Sequence, residues 1–247
     1  MILVTNDDGI TAQGIRWLAE AAAQFGETFI AAPDRERSNI GMGITLDQPL
    51  RAVPSGENAY AISGTPVDCV DLAIGELMPR PPELCVAGVN MGQNLGHDVH
   101  FSGTVGAARK AWFLGVPSIA FSMPRGRKWR RETALHYVSI FIREALERGL
   151  PKEALLNVNI PNAPLQEVTG VRLTRLDPAP YDTHVEKRID KFGGEYYWIG
   201  GKRLEAEGRD RTDYGALADN AVSVTPLGSD LTHHSSFEKL AEWRIDS

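Results

Sequence analysis

Through the first 125 residues, short apolar runs alternate with stretches in which apolar residues recur every three or four positions. Residues 2–5 form one uninterrupted run of the kind that a fully buried strand shows. In residues 12–25 the apolar positions Ile15, Leu18, Ala22 and Phe25 fall at helical spacing, and Gly26 closes the segment. Strands are predicted at 28–32, stopped by Pro33, and at 59–63. Thr65-Pro66 opens a helix with a capping hydroxyl and a first-turn proline; its apolar face is Val67, Val70, Ile74 and Leu77. Strands at 84–87 and 118–122 flank a helix that begins at Ser102 and closes at Gly115. This alternation predicts an α/β fold: a mainly parallel sheet with helices on both faces.

The second half is less regular. A helix is predicted over 129–148, strands over 155–160, 168–174 and 222–225, and a last helix over 236–244. Between them, residues 181–204 hold two extended runs around Phe192-Gly193-Gly194, the pattern of a long hairpin. The pattern divides the chain into a core over 1–180, a projecting hairpin over 181–204, and a C-terminal strand and helix within 205–247. The hairpin carries Tyr181, Tyr196, Tyr197 and Trp198, a heavy aromatic load for a surface element, so it is expected to pack on another subunit.

Open parallel sheets bind ligands beyond the carboxyl ends of their strands. Asn6-Asp7-Asp8-Gly9 follows the first strand, Asp34 to Ser38 the second, and Asn90 the strand near 84–88. All three segments therefore fall on one sheet edge. Asp7 and Asp8 would point apart on a straight strand, but a turn at Gly9 brings them together, and convergent carboxylates repel unless a cation or proton lies between them. A plain Asp-Gly turn accounts for the same dipeptide. The edge offers carboxylate, hydroxyl and amide oxygens with no Cys or His cluster, a set suited to Mg²⁺, Mn²⁺ or Ca²⁺ rather than Zn²⁺. Gly88 to Gly96 is a glycine-rich loop without the spacing of a dinucleotide fingerprint or a P-loop. Ser102-Gly103-Thr104 opens a helix whose amides suit phosphate, although ordinary capping by Ser102 also explains it. The basic run from Arg125 to Arg131 reads as a solvated face, and His233-His234 as structural. Asp68 sits where it could orient nearby loops.

Composition narrows the partners. With 32 acidic and 26 basic residues the net charge is −6, which argues against duplex nucleic acid. No apolar run approaches the roughly 18 residues of a membrane span, and no signal-peptide pattern frames the N-terminus. Cys69 and Cys85 lie in apolar contexts, as expected of buried thiols in a reducing cytoplasm.

Taken in order, several blocks resemble those of the SurE family of survival-protein nucleotidases. They include Thr5-Asn6-Asp7-Asp8-Gly9-Ile10, Ala32-Pro33-Asp34 with Arg37-Ser38, Gly64-Thr65-Pro66-Val67-Asp68, and Gly88-Val89-Asn90. Asn94-Leu95-Gly96, Ser102-Gly103-Thr104-Val105 and Thr212-Asp213-Tyr214 continue the match. The resemblance implies a Rossmann-like core and a 5′/3′-nucleotidase with one divalent ion per subunit on Asp7, Asp8, Ser38 and Asn90. It implies phosphate contacts from Asn94, Ser102, Gly103 and Thr104, and a homodimer or homotetramer built by C-terminal exchange. Departures are Asn39 and Met42 where smaller or more polar residues are usual, Ala87 for serine, and Arg109-Lys110-Ala111 for a pattern that carries Glu-Gly.

The expected reaction is hydrolysis of nucleoside 5′- and 3′-monophosphates by metal-activated water, with short polyphosphate a candidate further partner whose cleavage the sequence leaves open. Asp7 and Asp8 would be the catalytic pair, with Asp8 the better candidate to orient or deprotonate the water. Two rivals stay open: a phosphatase that forms an aspartyl-phosphate, and a non-catalytic nucleotide-binding protein.

Overall fold

A computed structural model describes residues 1–204 and 211–243. Its strands are β1 (Ile2–Thr5), β2 (Thr28–Pro33), β3 (Ala52–Gly56), β4 (Ala59–Ile62), β5 (Leu84–Met91), β6 (Ser118–Met123), β7 (Leu155–Asn159), β8 (Val171–Leu173), β9 (Tyr181–Ile189), β10 (Glu195–Arg203) and β11 (Val222–Leu227). The helices are α1 (Gln13–Ala22), α2 (Pro66–Leu72), α3 (Gly103–Phe113), α4 (Arg131–Arg148), α5 (Asp213–Ala218) and α6 (Phe237–Ala241).

Nine strands form one sheet in the order β3-β4-β2-β1-β5-β6-β7-β11-β8. From β4 through β7 every pairing is parallel; β3 and β11 join antiparallel to β4 and β7. The alternation along β1 builds two cores. Ile2 and Val4 enter the layer that holds Trp17 and Leu18 of α1 and Val138 and Ile142 of α4. Leu3 enters the other layer, with Phe29, Cys69 and Val70 of α2, and Val105 of α3. Strand order reverses between β1 and β5, so the carboxyl ends of these two strands frame the crevice where such sheets take their ligands.

Local chemistry sets the element ends. Thr65 caps α2 by accepting from the Asp68 amide while Asp68 accepts from the Thr65 amide, a reciprocal capping box. Ser102 caps α3 by accepting from the Val105 amide at 3.1 Å. Two elements were not anticipated: the edge strand β3 and the short helix α5. The strand expected over 168–174 is confined to β8, and the last helix is a five-residue turn of helix within the expected 236–244, whose final residue lies outside the described residues. The projecting hairpin is present as β9 and β10, which among the described residues pair only with each other. Within 205–247, residues 205–210 and 244–247 also lie outside the described residues.

Candidate active site

Thr5 ends β1 and the chain turns at once. Asn6, fully buried, closes that turn from both sides: its amide nitrogen donates to the Gly9 carbonyl and its oxygen accepts from the Gly9 amide. Gly9 has φ +97, and a side chain there would meet the Arg35 backbone at 3.1 Å. The turn directs Asp7 and Asp8 into one cavity of about 660 Å³.

Asp7 is 3% exposed. The Thr104 hydroxyl donates to its Oδ1, and its backbone carbonyl accepts from the Arg37 amide at 2.8 Å. Burial, with help from the Asp8 charge, pushes the Asp7 carboxyl up to about 6 against the opposing Thr104 hydrogen bonds. Asp8 is half-buried and accepts from the Met91 amide at 3.3 Å. Burial first, and then Glu36, raise its carboxyl; the Met91 amide and Arg125 pull the other way.

Asn90, at the end of β5, lines the same cavity and donates its amide nitrogen to the Gly92 carbonyl at 2.7 Å. That bond leaves the amide oxygen as the atom free to ligate. Ser38 reaches the cavity from the loop after β2, where its hydroxyl donates to Glu36 at 2.8 Å. Asn39 beside it has φ +59, a conformation that Asn tolerates better than most residues.

Asn94 also lines the cavity, but it is held from behind. Its side chain donates to Ser122 at 2.8 Å, its own amide donates to Asn159, and its carbonyl accepts from both Asn157 and Asn159. Of the triplet at α3, only Ser102 lines the cavity. Gly103 and Thr104 lie behind Asp7. A Cβ at Gly103 would come within 2.8 Å of the Asp7 Cβ, so glycine is what lets α3 approach. Thr104 is fully buried, and its hydroxyl is taken by Asp7.

Sequence reasoning passed over four groups. Arg125, read there as part of a solvated run, lines the cavity and donates Nε to the Met91 carbonyl at 3.1 Å. Asp98 lines it too, and accepts from the Tyr181 hydroxyl at 2.8 and 3.0 Å. Phe101 stands at the cavity 62% exposed. Asp213, fully buried, accepts from the Gly96 and Asp177 amides and so fastens the Asn94-Leu95-Gly96 loop. Of these, Arg125 left a trace in the sequence as the start of the basic run, and Asp213 as a block of the resemblance.

The donor set can be tested against a metal. Among the described residues no group of three or more His, Cys, Asp or Glu could hold one. Two converging carboxylates, both raised by burial, face a cavity that also offers a hydroxyl and an amide oxygen. A hard divalent cation fits that set and relieves the repulsion.

The family model described as Survival protein SurE matches residues 2–183. The chain belongs to the SurE family. It is 43% identical to the protein named 5′-nucleotidase SurE of Geobacter metallireducens, over 98% of this chain and 96% of that relative. It is 42% identical to the 5′-nucleotidase SurE of Vibrio vulnificus, over 98% and 94% of the two chains. The crystal structure of the SurE protein from Aquifex aeolicus superposes with a TM-score of 0.86 at 36% identity, covering 97% of each chain. Against SurE motifs, the Lys110 departure has a local account: Lys110 pairs with Asp71 of α2 at 2.9 Å. The departures at Met42 and Ala87 have no account in the structure.

Proposed function

We propose that this chain is a divalent-metal-dependent phosphatase that hydrolyses nucleoside 5′- and 3′-monophosphates to nucleoside and phosphate. The carrying observation is the convergence of Asp7, Asp8, Ser38 and Asn90 in one cavity at the strand-order switch point, in a chain 43% identical to a 5′-nucleotidase. Those four residues would hold Mg²⁺ or Mn²⁺, with Ca²⁺ as a stand-in. The bound ion supplies charge neutralisation at the phosphate and a water of lowered pKa.

The protein's own groups do the rest. Thr104 fixes Asp7 in one orientation through Oδ1. Asp8, less buried than Asp7, orients the attacking water and takes its proton. Ser102 and Asn94, which line the cavity, would take the phosphate oxygens, with the first turn of α3 behind them. Gly103 and Thr104 contribute through Asp7. Arg125 brings the positive charge of a side chain to a cavity that otherwise presents Asp7, Asp8 and Asp98.

Incubating adenosine monophosphate with chelated protein, and then with added Mn²⁺ or Mg²⁺, tests the reading. Phosphate release only with metal is expected; full release in chelator would overturn it. Rapid-quench trapping of a phosphoenzyme would favour the aspartyl-phosphate rival.

Assembly belongs to the same reading: a homodimer or homotetramer in which the hairpin and the tail after β11 pack on a second copy. Phe192, Trp198 and Ile199 of the hairpin and Phe237 and Trp243 of the tail are all exposed, which supports it. A cytoplasmic setting is supported by two buried free thiols, that of Cys85 pushed by burial up to about 12. Among the described residues no helix is long and apolar enough to cross a membrane.

A further inference from the structure

A second cavity, of about 430 Å³, lies against the short helical turn Gly96–His100, whose Asp98 lines the catalytic cavity, and shares no lining residue with the catalytic one. His100 of the turn, Arg109 of α3, and Arg175, which follows β8, bring three basic side chains to it. Arg109 is half-buried, and its Nε is shut from solvent with no hydrogen-bond partner. Its neighbour Lys110 is paired with Asp71, whereas Arg109 and Arg175 make no ion pair among the described residues. Burial draws the Arg109 guanidinium below its ordinary value.

A cation left half-buried without a partner is costly, and an orphaned buried donor asks for an absent water or ion. Among the described residues Asp230 is the one acidic residue at this cavity, and it is turned elsewhere: its carboxylate meets His234 at 2.6 Å and the Thr232 amide at 2.8 Å. Two guanidiniums suit the oxygens of a phosphate dianion, while the hydroxyls of Thr174 and Thr225 at the cavity wall are bonded to each other at 2.8 Å. Leu176 and Leu227 give the cavity an apolar wall, and Asp230 and Leu231, which also line it, belong to the tail that the proposed assembly would seat on a second copy.

We infer that this cavity is a second phosphate site, separate from the catalytic one, that takes a small phosphate dianion, either the free ion or the phosphate of a nucleotide.

Chelation makes the site measurable by itself, because without metal the catalytic cavity presents Asp7, Asp8 and Asp98 to any anion. Calorimetric titration of the chelated full chain with inorganic phosphate should show one saturable site per chain. Arg109→Gln should weaken it at least tenfold and Arg109→Lys less, while Ser102→Ala leaves it unchanged. Metal-supported turnover of adenosine monophosphate by Arg109→Gln verifies folding, and Arg175→Ala, at an exposed position, serves as a second variant. Adenosine monophosphate binding tenfold tighter than phosphate would assign the site to a nucleotide, and equal affinities to the free ion; either upholds the site. Absence of saturable binding, an unchanged affinity in Arg109→Gln and Arg175→Ala, or an equal loss in Ser102→Ala would overturn it.

Discussion

Asp7 meets the first turn of α3 through the Thr104 hydroxyl, and Gly103 lets the helix come that close. Thr104→Val keeps the shape of the side chain and removes the donor. Groups that orient a metal ligand from behind commonly carry a factor of about ten or more in metal affinity. The variant should therefore need roughly tenfold more Mn²⁺ for half-maximal phosphatase activity; an unchanged Mn²⁺ titration would mean that Thr104 does not position Asp7. Burial of Asp7 also has a sign in stability. A carboxyl raised from 3.8 to about 6 binds its proton more tightly folded than unfolded. Its contribution is then most favourable below the unfolded value and is lost as pH rises through the folded one, by up to about 3 kcal/mol. Chelated protein should lose stability to urea between pH 4 and pH 7, and Asp7→Asn should flatten that loss. Saturating metal should reverse it, because a cation favours the charged form.

The loop that follows Ser38 and Asn39 owes its place to α2. Asp68 accepts from the Thr45 amide at 2.9 Å, the Thr45 hydroxyl at 2.6 Å and the Thr65 amide at 2.8 Å, so one buried carboxylate caps a helix and pins a loop. Asp68→Ala should cost about 2–4 kcal/mol in urea unfolding and open residues 40–46 to limited proteolysis. Unchanged cleavage there would separate the cap from the loop. At this scale most of the fold was legible, because β1, β2, β5 and β6 are continuous apolar runs and α2 and α3 carry capping hydroxyls. The edge strand β3 was not: it is mostly exposed, contains Pro54 and shows no alternation. The six residues of α5 are too few to show a helical period. Asp7, Asp8 and Asn90 were legible as strand ends. Arg125 was hidden in a charge run, and the grip of Asn157, Asn159 and Asp213 on the 94–96 loop depends on packing that no local spacing encodes.

The hairpin of β9 and β10 touches the catalytic unit at its base, where Tyr181 donates to Asp98, and bears exposed Val185, Ile189, Phe192, Tyr197, Trp198 and Ile199 along its length. A lone two-stranded ribbon is marginal in water, and exchange of such an arm is a low-cost route to a symmetric dimer. Deleting residues 183–200 should lower the subunit count measured by light scattering while the core stays folded; a folded variant with the parent's mass would show that the arm does not hold the assembly. The clamps on the catalytic loop bear on how the chain is made. Asn157 and Asn159 reach Asn94 across 63 and 65 positions, and Asp213 reaches Gly96 across 117. Chains leave the ribosome N-terminus first. Asp7, Asp8, Ser38 and Asn90 are thus all translated well before the groups that fix the loop beside them. The loop that lines the cavity can therefore be secured only after Asp213 has emerged, late in synthesis.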